Sequence, residues 1–137
     1  MNISEYLKML PEITEVNRPY WEGCEVGELR LQTCIHCGFC RYPDSELCPR
    51  CLSHEWAWRK VSGKGRVWSW VVVHQKYFEA FADELPYTVL LVELDEGPRI
   101  ISGLVGEARR LRIDQPVEVV FTRVANERSI PKFRIVQ

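Results

Sequence analysis

Cysteines are the residues most able to do chemistry in this chain, and five of its six fall within "CIHCGFCRYPDSELCPRC" at positions 34–51. Cys34 and Cys37 form one C-x-x-C pair, Cys48 and Cys51 form another, and ten residues separate the pairs. A C-x-x-C turn places two thiolates on one side of a metal ion, so two turns supply the four ligands of tetrahedral Zn²⁺. Because four thiolates leave no position open for water or substrate, the spacing predicts a structural zinc site rather than a catalytic one.

Cys40 allows other metal centres. Residues 34–40 read C-x-x-C-x-x-C, and a proline follows Cys48, which resembles an iron–sulfur ligand run. The interval from Cys40 to Cys48 is longer than in such a run, however, and Cys51 would be left unused. A single iron ion in a rubredoxin-like site is a further alternative. The two symmetric pairs explain more of the sequence pattern and favour zinc.

Outside the cysteines, no serine, aspartate or histidine stands in a nucleophile-elbow, metalloprotease or phosphate-loop context. His36 and His54 could each replace a cysteine ligand, but we expect both to be exposed loop residues. Arg109, Arg110 and Arg112 form the main basic run. The run is interpreted as a solvated loop, with contact to a phosphate-bearing ligand as the alternative.

The composition limits the class of protein. Hydrophobic residues make up 46% and charged residues 27%, which is typical of a globular chain. A net charge of −1 argues against a protein whose main work is binding nucleic acid, because phosphate binding relies on a basic surface. No stretch approaches the roughly 20 apolar residues that span a bilayer, and the N-terminus lacks a signal-peptide pattern. We therefore predict a cytoplasmic protein without a membrane partner.

Three zones must position these residues. Residues 1–28 are predicted to be helical, from Tyr6, Leu7 and Leu10 before Pro11 and from a second turn near Pro19. Residues 29–62 hold the cysteines between two strands, at 29–33 and 55–61. Residues 63–137 are predicted to be β throughout, with strands at 66–75, 87–95, 99–106, 115–124 and 131–136. Five strands in this length favour a five-stranded OB-fold barrel, with a small sandwich as the rival.

Two aromatic segments are candidate contact surfaces. Tyr20 and Trp21 could cover the edge of a core or face a partner. Residues 76–87 are predicted to be a loop or a short helix, which either closes the end of the barrel or contacts a partner or ligand. The aromatic side chains of this second segment are Tyr77, Phe78, Phe81 and Tyr87.

The order of these parts resembles the zinc-ribbon/OB-fold family of acyl-CoA-associated proteins, long classed as a domain of unknown function. The resemblance is carried by "RLQTCIHCG", "CPRC", "SGKGRVWSW", "LPYTVLLVELDEGPRI" and a late "VEVVF…PKF", over nearly the whole chain. It implies a mainly β protein with an N-terminal helical segment, a rubredoxin-like zinc ribbon and a C-terminal five-stranded OB-fold barrel. It also implies Cys34, Cys37, Cys48 and Cys51 as the ligands of a structural zinc ion.

Members of that family are usually accessory subunits of thiolase-superfamily enzymes, which include thiolases, synthases, acyltransferases and retro-aldolases. The resemblance therefore implies a non-catalytic subunit that supports such an enzyme, with acyl-CoA at the shared interface. This chain departs from the family pattern in two places near the metal. It has "YPDSE" where a Pro-Pro-Arg run is common, and Leu52 where a glycine often follows the last ligand.

Three other functions remain as alternatives. An OB-fold nucleic-acid-binding module would use Trp68 and Trp70 as stacking platforms, although the acidic pI argues against it. A redox or electron-transfer protein would require iron instead of zinc. A self-sufficient acyl-CoA enzyme would need a nucleophile–base pair, which is not recognisable here.

Overall fold

The computed structural model describes residues 10–125 and 128–136, which form one α-helix, eight strands and two short 3₁₀ helices. The helix is α1 (Arg18–Val26), and the 3₁₀ helices are η1 (Glu79–Glu84) and η2 (Ala108–Arg110). The strands are β1 (Arg30–Cys34), β2 (Cys40–Arg41), β3 (Trp56–Lys60), β4 (Lys64–Val73), β5 (Tyr87–Leu94), β6 (Arg99–Val105), β7 (Pro116–Ala125) and β8 (Arg128–Ile135).

The helical turn predicted near Pro19 is confirmed as α1, with proline in its first turn, where a missing N–H costs nothing. Gly27 ends the helix in a left-handed conformation (φ 79°), and the Glu28 backbone N–H donates to the carbonyl of Gly23. Of the helical pattern predicted before Pro11, Tyr6 and Leu7 lie outside the described residues.

The cysteine-bearing zone forms a three-stranded antiparallel sheet in the order β2-β1-β3. Thr33 of β1 pairs with Cys40 on one side and with Ala57 on the other. The strands predicted at 29–33 and 55–61 are therefore confirmed as β1 and β3.

The remaining strands close into a five-stranded barrel in the order β4-β5-β6-β8-β7, so the prediction of an OB-fold barrel is confirmed and the sandwich alternative is wrong. β4 and β7 complete the closure over three residue pairs, one of which joins Gly65 to Val117. A Cβ atom on Gly65 would lie 2.4 Å from the carbonyl oxygen of Glu93, so this close approach requires glycine.

Sheet and barrel share one hydrophobic core. Leu29, Leu31 and Val61 of the cysteine-bearing zone belong to the same buried cluster as the inward-facing barrel residues. The barrel contributes Val67, Leu90, Val92, Leu94, Ile100, Val117 and Phe133. The backbone N–H of Val61 also donates to the carbonyl of Leu29 at 2.8 Å, which fixes the junction. None of the helices in the described ranges is both long and apolar enough to cross a bilayer.

Candidate metal centre and aromatic surfaces

The first cysteine turn begins where β1 ends. The Gly38 backbone N–H donates to the carbonyl of Cys34 at 3.0 Å, and the Cys34 N–H donates to the carbonyl of Phe39 at 2.9 Å. Gly38 has φ of 76°, in the left-handed region that glycine adopts without steric cost. The turn thereby directs the side chains of Cys34 and Cys37 to the same side.

The second cysteine turn repeats this geometry. The Leu52 N–H donates to the carbonyl of Cys48 at 2.9 Å, and the Cys48 N–H donates to the carbonyl of Ser53 at 2.9 Å. Leu52 has φ of 66°, so a leucine here adopts the backbone conformation of Gly38. Where the family often has glycine, this chain therefore places a leucine in a strained left-handed conformation. The hydrogen bonds of the two turns are otherwise equivalent.

The four sulfur atoms of the two turns converge. Their Sγ atoms all lie within 4.8 Å of one another, with 3.5 Å between Cys34 and Cys51 and 3.6 Å between Cys37 and Cys48. Zn–S bonds of about 2.3 Å in a tetrahedron separate sulfurs by about 3.8 Å, whereas a disulfide joins them at about 2.05 Å. The donor set and its spacing fit a zinc ion. Cys34 and Cys48 are buried, while Cys37 and Cys51 are exposed.

Proton affinities differ among these thiols. The backbone N–H of Cys37 donates to the Cys34 sulfur at 3.5 Å and, as the largest cause, lowers the pKa of that thiol to about 6. A hydrogen bond from the Ser53 backbone lowers the pKa of Cys51, but burial and the three neighbouring sulfurs outweigh it and raise that pKa. Four adjacent thiolates repel one another, so full ionisation requires a cation among them.

The other candidate ligands do not join the cluster. His36 Nε2 lies 3.1 Å from Glu55 Oε1, and His54 Nδ1 lies 3.2 Å from the carbonyl oxygen of Glu46; both histidines are exposed, as the sequence predicts. Among the described residues the metal-type cluster consists of four cysteines without Cys40, whose pKa is raised by burial. This arrangement does not support the iron–sulfur alternative.

The predicted contact residues of α1 line an aromatic cavity of about 180 Å³. Tyr20 packs against the core, its ring lies 5.1 Å from Trp21 and 6.4 Å from Tyr42, and burial raises its pKa. Trp21 lies under the Arg128 guanidinium, which is 4.8 Å from the ring centroid. Tyr20 thus covers the edge of the core, which is the first of the two interpretations of this segment.

The predicted contact residues of the second segment lie around η1. Tyr77 and Phe78 are 65% and 52% exposed, which makes them available to a partner. Phe81 lies 6.2 Å from Phe78 and 6.0 Å from Tyr87, and both Phe81 and Tyr87 line an apolar cavity of about 310 Å³ on the barrel. The rings of Phe78, Phe81 and Tyr87 thus form one cluster, and the cavity beside it is separate from the cavity of α1 except that Pro11 borders both.

Two charged residues of this apolar cavity were missed by sequence reasoning. Lys132 Nζ lies 3.7 Å from Glu84 Oε1, and both side chains line the cavity. They stand 48 positions apart in sequence. No local pattern joins η1 to β8, so only the closed barrel brings this pair together.

Two family models match the chain. The "ChsH2, rubredoxin-like zinc ribbon domain" matches residues 21–57, and the "ChsH2, C-terminal OB-fold domain" matches residues 58–122. The first model describes a zinc-binding module, in agreement with the fit of the four sulfurs to zinc. The structural zinc predicted from the sequence is thereby confirmed, whereas no comparison names the individual ligands.

Curated relatives cover most of the chain. A DUF35 domain-containing scaffold protein of Methanothermobacter thermautotrophicus is 38% identical over 84% of this chain and 87% of its own length. A probable enoyl-CoA hydratase alpha subunit of Thermomonospora curvata is 36% identical over 93% of this chain, but this match spans only 40% of the relative. The benzoylsuccinyl-CoA thiolase subunit BbsA of Geobacter metallireducens is 29% identical over 80% of this chain and 69% of its own length.

A solved structure described as "Ltp2-ChsH2(DUF35) aldolase" contains a chain with the same fold. The two chains superpose with a TM-score of 0.83 at 35% identity, covering 92% of this chain and 98% of the other. The similarity therefore extends over the cysteine-bearing sheet and the barrel together.

Proposed function

The chain belongs to the DUF35 family of ChsH2-type proteins, and on this premise we propose that it is a non-catalytic subunit that binds and supports a thiolase-superfamily acyl-CoA enzyme. The observation that carries the proposal is the near full-length match to DUF35 chains, one a scaffold protein and one a component of an aldolase structure. The match to a benzoylsuccinyl-CoA thiolase subunit supports the thiolase superfamily as the enzyme class.

Within this subunit the zinc ion has a structural role. We assign Cys34, Cys37, Cys48 and Cys51 as its ligands, supported by the convergence of their sulfurs within 4.8 Å. Four protein ligands close the coordination sphere, so the ion contributes folding free energy and no substrate position. The assignment predicts one zinc per chain by elemental analysis, unchanged in Cys40→Ser and lost in Cys51→Ser.

The aromatic residues around η1 are proposed as contacts of the partner enzyme. Tyr77 and Phe78 are exposed in this chain. Aromatic side chains are enriched at the centres of protein–protein interfaces, where complex formation buries them. The apolar cavity that Phe81 and Tyr87 line is proposed to extend an acyl-CoA site shared with the partner enzyme. Tyr20 and Trp21 are proposed to support the adjoining surface.

The alternative of a nucleic-acid-binding OB module is less well supported. The outward-facing residues at the centre of β4, β5 and β6 are apolar and include Val71, Val89, Leu91 and Ile101. Single-strand binding instead requires a basic groove with exposed stacking platforms. On one candidate platform, Trp68, the Arg99 guanidinium already occupies one face of the ring, at 3.7 Å from its centroid.

The proposal is tested by affinity capture from the native host, with this chain as bait, and then by reconstitution with the purified co-purifying enzyme. We expect a thiolase-superfamily subunit to co-purify with this chain in a stoichiometric amount. The solubility of that subunit, or its rate of acyl-CoA turnover, should depend on this chain. The chain alone should show no turnover. Acyl-CoA turnover by the chain alone would refute the non-catalytic assignment, and capture of single-stranded nucleic acid would favour the alternative.

A further inference from the structure

The four sulfurs of the metal centre differ in their access to solvent. Each turn buries its first cysteine, since Cys34 is 1% exposed and Cys48 is 0% exposed, and each turn exposes its last cysteine, Cys37 or Cys51. The exposed cysteines stand within runs of exposed residues, at 35–38 and 49–52. A small solute in water can therefore reach one sulfur of each turn directly.

The sulfur contacts of the cluster run between the two turns. The exposed Cys51 Sγ lies 3.5 Å from the buried Cys34 Sγ, and the exposed Cys37 Sγ lies 3.6 Å from the buried Cys48 Sγ. Each contact thus joins an accessible sulfur of one turn to a buried sulfur of the other. The two atoms need to approach by only about 1.5 Å to reach the S–S bond length of a disulfide.

We propose that Cys37 and Cys51 are the sites at which peroxides oxidise this metal centre, and that the products are two disulfides between the turns, Cys34–Cys51 and Cys37–Cys48. The inference rests on the ligand assignment of the proposed function, and it does not depend on the partner enzyme. The competing products are disulfides within the turns, Cys34–Cys37 and Cys48–Cys51.

The oxidation takes two steps for each disulfide. Hydrogen peroxide transfers an oxygen atom to the Cys51 thiolate, the O–O bond breaks, and hydroxide leaves with a sulfenic acid remaining on Cys51. The Cys34 thiolate then attacks the Cys51 sulfur, an S–S bond forms, and a second hydroxide leaves. Two thiolates and one peroxide thus give one disulfide and two hydroxides. A second peroxide reacts in the same way at Cys37, with Cys48 as the attacking thiolate.

This pairing keeps the two turns connected after the metal has left. Oxidation consumes all four ligand thiolates, so the zinc ion is released. The Cys34–Cys51 bond spans 17 positions and encloses the Cys37–Cys48 bond, which spans 11, so both bonds join the same two turns that the metal joins. Disulfides within the turns would leave the turns unconnected. The oxidised, zinc-free chain should therefore be more stable than the reduced, zinc-free chain, because cross-links restrict the unfolded state.

The test treats the zinc-loaded full chain with excess hydrogen peroxide, follows released zinc with a chromogenic chelator, and maps the disulfides after the remaining thiols are alkylated. Cys40→Ser is treated in parallel, so that exchange with the nearby Cys40 thiol is excluded. Cys24, which is 2% exposed, is an internal control that should remain a free thiol.

Trypsin separates the cysteines in a way that distinguishes the pairings. Cleavage after arginine gives peptide 31–41 with Cys34 and Cys37, peptide 42–50 with Cys48, and peptide 51–59 with Cys51. Disulfides between the turns join all three peptides into one species. Disulfides within the turns leave peptide 31–41 separate and join only the other two. Fragmentation of the three-peptide species then identifies which sulfurs are bonded.

We expect loss of the zinc ion, the three-peptide species with the two proposed bonds, and a melting temperature between those of the zinc-loaded chain and of the reduced, chelator-treated chain. Disulfides within the turns, a Cys37–Cys51 bond, or sulfinic acids without disulfides would overturn the inference and leave the ligand assignment standing. Retention of zinc through the peroxide treatment would also overturn it. A chain that holds no zinc before treatment would overturn the ligand assignment and the inference together.

Discussion

Removal of one buried zinc ligand should unfold more than the cysteine-bearing sheet. Cys48 has 0% exposure and its sulfur lies 3.6 Å from that of Cys37, so Cys48→Ser removes a thiolate from the centre of the cluster. Structural zinc contributes about 10–16 kcal/mol of binding free energy in small zinc modules. A domain is stable by only about 5–15 kcal/mol in total. Loss of the metal therefore removes a free energy comparable to the whole stability of the chain.

The shared core extends this effect to the barrel. Leu29 and Leu31 are each 1% exposed and lie in the same cluster as Phe133. Burying a leucine side chain is worth about 1.5–3 kcal/mol, so withdrawal of both would cost the barrel roughly 3–6 kcal/mol. We expect Cys48→Ser to be poorly soluble or to melt far below the wild type.

The assay combines thermal unfolding followed by circular dichroism with elemental analysis, on wild type, Cys48→Ser and chelator-treated wild type. Cys40→Ser is the matched control, because Cys40 lies in the same sheet but outside the cluster. A soluble, zinc-free Cys48→Ser protein with wild-type melting would refute the reasoning, since the metal would then contribute nothing to the fold. Melting of the sheet alone, with the barrel signal unchanged, would refute the argument from the shared core.

Three further predictions concern stability. Leu52→Gly should raise the free energy of unfolding by up to about 1 kcal/mol, because it removes a leucine from a left-handed conformation. Gly38→Ala should lower the free energy of unfolding by a similar amount. Changes of melting temperature in the same direction for both variants would contradict the equivalence of the two turns. Gly65→Ala should destabilise the barrel by about 1–3 kcal/mol in urea unfolding, since its Cβ would meet a backbone carbonyl at 2.4 Å, whereas Gly103→Ala, with no neighbour nearer than 3.7 Å, should change little. The Arg66 side chain is the largest cause that lowers the pKa of Glu93 below its ordinary 4.5. The stability from this pair is therefore present above pH 4.5 and is lost as pH falls through the lowered pKa. Glu93→Gln should flatten this fall in melting temperature on the acid side, and an unchanged pH profile would argue against the ion pair.

Local chemistry explains why the metal centre could be predicted from the sequence. Each C-x-x-C turn depends on residues within five positions, as the hydrogen bond from Gly38 to Cys34 shows, so spacing alone indicates the convergence of the sulfurs. The run of Val and Leu in "YTVLLVELD" likewise predicts a strand, and the structure forms β5 there, with Thr88, Leu90, Val92 and Leu94 buried. Domain boundaries after residues 28 and 62 remain predictions that limited proteolysis can test.

Contacts over long sequence distances could not be predicted. Arg128 covers Trp21 and Lys132 reaches Glu84 only because the barrel closes and α1 packs against β8. The apolar outward-facing residues of β4, β5 and β6 were likewise not predicted, since a buried parallel strand and a strand with an apolar outer face share the same run of Val, Leu and Ile. The sequence shows a leucine where the family often has a glycine, but only the φ angle in the structure reveals that Leu52 is strained.

The continuous core has a consequence for how this architecture is inherited. Because Leu29, Leu31 and Val61 complete the packing around Phe133, a sheet taken from another protein would leave gaps in the barrel unless its apolar residues matched in volume. Recombination should therefore transfer the sheet and the barrel together as one unit. In the longer relative from Thermomonospora curvata the match covers 93% of this chain, so sheet and barrel occur together within that larger protein.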